Sequence, residues 1–92
     1  MAVLIQPVQP VNVSIKIGKN IYECQMISLS ETELVLNCND YMEKDSEALF
    51  IAKYFRGAAT IREIEFIQFF FTYKLEIETI QFQPGLLINT RL

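Results

Sequence analysis

The 92-residue chain contains no histidine, only two cysteines and no cluster of basic side chains. Each shortage closes off a class of function. Histidine is the commonest general base and metal ligand, so most catalytic and metal-binding designs lose their usual centre. Cys24 and Cys38 are too few for the disulfide framework of a small secreted domain. Their spacing also lacks the close pairing of a redox motif or zinc knuckle, so both read as small buried thiols. Eight basic residues stand against eleven acidic ones, and the net charge of −3 repels a phosphate backbone, which disfavours nucleic acid as a partner.

No uncharged apolar run approaches the ~20 residues of a membrane helix. The first fifteen residues carry no charged side chain, but Gln6, Pro7, Gln9, Pro10 and Asn12 interrupt them. There is neither a basic start nor a small-residue cleavage site. The expectation is a soluble cytoplasmic protein with no targeting segment, no membrane insertion and no cofactor.

What the chain does have is apolar. About half of it (51%) is hydrophobic, with seven Phe and four Tyr, enough for one core and one domain spanning residues 1–92. Val11, Val13, Ile15 and Ile17 alternate with polar residues, the period of a strand with one buried face. A turn at Gly18-Lys19-Asn20 leads to a second strand from Ile21 to about Ile27. The stretch Ser28 to Glu33 then serves as a connection, its hydroxyls free to bond nearby backbone. Leu34, Leu36 and Cys38 share one face of a third strand. A polar segment, Asn39 to Ser46, precedes a fourth strand from Glu47 to Phe55 that closes at Arg56-Gly57.

Ala58 to Phe66 reads as a strand with a bulge or bend, because Thr60, Ile61 and Ile64 are β-branched, although Ile61 and Ile64 also fit a helical spacing. Phe69, Phe71, Tyr73, Leu75 and Ile77 then alternate with Thr72, Lys74 and Glu76 in a long half-wet strand, and Ile80 and Phe82 either extend it or begin a partner strand before Pro84-Gly85. Short strands separated by turns, with hardly any helical pattern, give an all-β fold: a small antiparallel barrel of six to seven strands, closed to remove its edges.

Carboxylates recur two residues apart, as in Glu31 with Glu33, Glu63 with Glu65, and Glu76 with Glu78. On a strand this spacing makes a solvated face, which explains them more simply than paired acid–base chemistry. Asn39, Asp40 and Asp45 fall short of a calcium loop. The aromatic run from Phe66 to Tyr73 is more telling. Strand alternation sets Phe66 and Phe70 on the face opposite Phe69, Phe71 and Tyr73, so either a terminal segment such as Gly85–Leu92 or another molecule should cover them. Phe66 and Phe70 are the candidate protein interface, for a protein partner or a homo-oligomer.

The order of elements, with the stretch Ser28-Leu29-Ser30-Glu31-Thr32-Glu33 leading into Leu34-Val35-Leu36, resembles the PilZ family of bacterial cyclic-di-GMP signalling domains across roughly residues 9 to 82. The resemblance implies a PilZ-like barrel. It also implies a binding site made from an RxxxR element before the first barrel strand and a later loop of the form Asp/Asn-x-Ser-x-x-Gly. Ser30 matches the motif serine, while Ser28 stands where the family has Asp or Asn and Glu33 where it has Gly. No arginine precedes Arg56, so the bidentate guanidinium grip on phosphate and guanine is not encoded. Glu33 would oppose an anionic nucleotide at ~4 Å by about 1–4 kcal/mol.

The resemblance therefore implies a degenerate, noncatalytic regulatory or adaptor module in type IV pilus or flagellar motility, acting through protein contacts. The alternative it leaves open is a cyclic-di-GMP receptor with a non-standard site using Arg56 or Arg62. The non-binding split-barrel half of flagellar brake proteins has a similar hydrophobic pattern.

Overall fold

The computed structural model describes residues 4–6 and 8–82, and the segment Gly85–Leu92 proposed as a cover lies outside them. Seven strands form: β1 (Leu4–Ile5), β2 (Asn12–Ile17), β3 (Asn20–Ser30), β4 (Glu33–Cys38), β5 (Glu47–Ala52), β6 (Phe55–Ile67) and β7 (Phe70–Phe82). All pairings are antiparallel, and the order β3-β2-β5-β6-β7-β4 returns to β3, giving a closed six-stranded barrel. β1 adds a two-residue pairing at Leu29 and Ser30. The expected all-β barrel is what the chain forms.

Alternation fills the interior. Val13 and Ile15 from β2, Leu34 and Leu36 from β4, Phe50 from β5, Ile61 from β6, and Tyr73 and Leu75 from β7 are fully buried. Met42, from the loop between β4 and β5, is buried with them. That loop is latched by Tyr73, whose hydroxyl accepts from the Met42 N–H at 2.6 Å and donates to the Asp40 carbonyl at 2.7 Å.

Three local expectations are corrected. The second barrel strand runs to Ser30, bulging at Ile27, so the connection shrinks to Glu31 and Thr32. The fourth strand expected to run to Phe55 stops at Ala52 and turns at Lys53-Tyr54. Gly57 therefore lies inside β6, opposite Phe50 and Ile80. The aromatic run is not one strand: β6 and β7 meet in a two-residue hairpin at Gln68 and Phe69. The bulge expected in Ala58 to Phe66 is present. Arg62 is the extra residue on β6, and Glu78 plays the same part on β7.

Cys24 and Cys38 are brought together despite their separation in sequence. Gln25 lies opposite Asn37, and one step further that register sets Cys24 beside Cys38. Both thiols are free and buried. Burial first, then the neighbouring Cys38, pushes the Cys24 thiol well above its ordinary range. A protonated, inaccessible thiol is a poor nucleophile. In the folded protein neither cysteine is expected to react with Ellman's reagent, and both should react at once in strong denaturant. A fast-reacting native thiol would contradict this packing.

Candidate functional site

Both described ends of the chain, Leu4 beside Ser30 and Phe82 beside Phe55, lie at the end of the barrel opposite the β6–β7 turn. The hairpin therefore stands away from both. Its turn has φ of 50° at Gln68 and 74° at Phe69, the pair of positive values that defines a type I′ hairpin and normally selects Asn-Gly. A bulky side chain in the left-handed region costs about 1–2 kcal/mol. Phe69 recovers none of that through packing, since it is 87% exposed.

Around Phe69 the tip is apolar on both faces. The register sets Phe66 opposite Phe71 and Ile67 opposite Phe70. Residues directly opposite share a face, so Phe66 lies with Phe71 and Tyr73 on the core-facing side, while Phe70 lies with Ile67 on the other. This corrects the expectation that Phe66 and Phe70 share a face: the hidden turn inverts the alternation between them. Phe66 is 62% exposed, Ile67 50% and Phe70 45%.

On the core-facing side the rings are continuous with the interior. Phe66 is 4.9 Å from Phe71 between centroids, Phe71 is 6.1 Å from the buried Tyr73, and exposed Tyr41 meets Phe71 edge-on at 5.6 Å. The three exposed phenylalanines and Tyr41 together present on the order of 500 Å² of aromatic surface, divided between the two faces of the tip.

β6 also has an open edge here. β5 pairs with it only as far as Thr60, and the loop adds bonds from the Asp45 N–H to the Ile61 carbonyl and from the Ile61 N–H to Ser46. In a two-residue hairpin the closing pair, Ile67 and Phe70, is hydrogen-bonded, so the N–H and C=O groups of Phe66 and Ile64 point away from β7. Among the described residues no backbone group meets them.

The candidate nucleotide loop is different in kind. Ser28 is half-buried on β3. The Ser30 hydroxyl accepts from the N–H groups of Glu33 at 3.0 Å and Thr32 at 3.3 Å and donates to the Glu33 carbonyl at 3.4 Å. It is committed to shaping the turn. The exposed Glu33 lies opposite Glu76 on β7, and the Ile77 N–H bonds the Thr32 carbonyl. The loop therefore rests against a second carboxylate, which is itself paired with Arg62.

The two arginines of the alternative reading do not converge on it. Arg62 is held by Glu76 at 3.0 Å and Asp45 at 3.5 Å. Arg56 lies about 20 Å further down β6. There it lines a concavity of about 700 Å³ with Lys53, Phe55, Gln81 and Phe82. Among the described residues no group of His, Cys, Asp and Glu is arranged to hold a metal ion, and no helix is long and apolar enough to cross a membrane.

Sequence reasoning named Phe66 and Phe70 but missed the open edge and treated Phe69 as a core residue. The run from Phe66 to Tyr73 fits within one strand, and Gln68-Phe69 offers no turn residue to interrupt it, so the sequence carries no signal for this hairpin. A scan against protein-family models and a search of curated proteins both find no match to this chain.

Proposed function

We propose that this barrel is a noncatalytic, cytoplasmic PilZ-like module that works by protein contact through its aromatic hairpin, within cyclic-di-GMP-related control of pili or flagella. The observation that carries protein contact is Phe69. A phenylalanine held at positive φ and left in water serves no packing purpose, and residues kept under such strain gather where the strain has a use. Large rigid rings at a protruding tip are the usual anchors of protein interfaces. The PilZ-like part rests on the closed six-stranded barrel and on Ser30 at the end of its second strand, where its hydroxyl shapes the turn into the third. Loss of nucleotide recognition rests on the missing arginines and the Glu33–Glu76 pairing.

The second reading, a cyclic-di-GMP receptor with a non-standard site, draws on the concavity beside Arg56 and Lys53, whose volume is within the range of small-molecule sites. One titration separates the two. Adding cyclic-di-GMP to ¹⁵N-labelled protein up to about 1 mM, where even a Kd near the weak end of specific binding registers, is expected to move no amide resonance. Saturable shifts at Ser28–Glu33 or around Arg56 would make the chain a receptor instead.

A further inference from the structure

We infer that the partner taken by the hairpin tip is a second copy of this chain, joined antiparallel along the open edge of β6. This deepens the proposed function and rests on its reading of the tip as a docking surface. The edge is self-complementary. With a two-fold axis at Glu65, Ile64 of one protomer lies opposite Phe66 of its partner and the reverse. The outward-pointing N–H and C=O groups of both residues then exchange four backbone bonds.

The same register makes two β-branched-to-aromatic cross-strand pairs on the core-facing side, a favoured combination. On the other face Glu63, already within 4.0 Å of Lys74, meets Ile67 of the partner. Glu65 meets its own symmetry mate. That one carboxylate pair is unfavourable, but it is solvent-exposed and screened, and four backbone bonds with two apolar pairs outweigh it.

Of the exposed rings, Phe66 is on the joined edge and Phe69 at its end, whereas Phe70 is on β7 and Tyr41 packs on Phe71 of β7. Each partner therefore buries less than the ~800 Å² of a standard interface, which places the dimer in the weak, concentration-dependent class.

The test is sedimentation velocity on the full chain from about 1 to 500 µM, together with amide exchange by NMR. The expected result is a concentration-dependent dimer, with the Ile64 and Phe66 amides slowed only in the dimeric range and those of Glu65 and Ile67 protected throughout. Two variants keep the fold. Phe69→Gly relieves the turn and should weaken dimerisation about tenfold or more, as loss of an interface anchor does. Glu65→Gln removes the like-charge pair and should tighten it a few-fold.

A wild type that stays monomeric at every concentration overturns self-pairing, yet leaves the tip available to another protein. A dimer unaffected by Phe69→Gly, with Ile64 and Phe66 exchanging freely, overturns both the self-pairing and the reading of the tip as the docking surface.

Discussion

Gly57→Ala is expected to cost about 3 kcal/mol or more, at the upper end of what overpacking a core produces, and to move the urea midpoint down without changing the slope. Gly57 is not in a turn but inside β6, and its φ is not positive. It is there because a side chain has nowhere to go. A Cβ would lie 2.0 Å from the Thr79 carbonyl oxygen, 2.7 Å from the Phe50 ring and 2.9 Å from the Ile80 Cα.

The ring can tilt, but the carbonyl belongs to the β6–β7 ladder and moves only if the strands part. Phe50→Leu should therefore fail to rescue Gly57→Ala, and the double variant should lose the Phe50 packing as well. Gly18→Ala is the internal control. Its φ is 59°, but nothing lies within 4 Å of the added methyl, so only the left-handed conformation is strained, at about 1–2 kcal/mol. If the two alanine variants unfold at the same midpoint, the close approach at Gly57 is not what the packing makes of it.

Gly57 also illustrates what the sequence could disclose. Period-two alternation located β2, β4 and β7, because their inward residues are large and their outward ones polar. It failed where small residues intervene. Arg56-Gly57-Ala58-Ala59 carries no contrast between faces, and a glycine there reads as a turn, whereas in the barrel it marks a strand pressed against a neighbouring ring. The true turn at Lys53-Tyr54 has neither glycine nor proline to announce it.

The hairpin tip was hidden for the same reason. Gln68-Phe69 is a poor type I′ sequence, so the aromatic run looked continuous and Phe69 looked buried. Its exposure follows from the backbone reversing there, which shows only once β6 and β7 are paired. The serine loop was legible in place but not in role: Ser30 was recognised, while its bonds to Thr32 and Glu33 depend on how tightly β3 turns into β4. The cysteine pair and the open edge are products of register, which one sequence does not fix.

Tyr73→Phe is expected to cost about 2 kcal/mol, although it removes a single oxygen. That oxygen serves two backbone groups, the buried Met42 N–H at 2.6 Å and the part-buried Asp40 carbonyl at 2.7 Å. Leaving a buried donor unpaired costs ~1–3 kcal/mol. The loss should be local as well as global. The Met42 amide, protected in the wild type, should exchange faster, because this hydroxyl holds the Asp40–Met42 end of the loop, while the Asp45–Ser46 end stays bonded to Ile61.

The same group sets an alkaline limit. Burial, the largest influence, pushes the Tyr73 phenol up to about 12, while the bond from the Met42 N–H pulls the other way. In the unfolded chain the phenol ionises near 10. A raised folded value means that the stability from neutral Tyr73 is fully present below pH ~10 and drains away as the pH climbs towards ~12. The buried Cys24 thiol adds a loss of the same sign in both proteins. The difference between wild type and Tyr73→Phe isolates the phenol: it should be constant from neutral pH to about 10 and shrink above that. A gap that stays constant through pH 12 would mean that the Tyr73 hydroxyl is not sealed in the core.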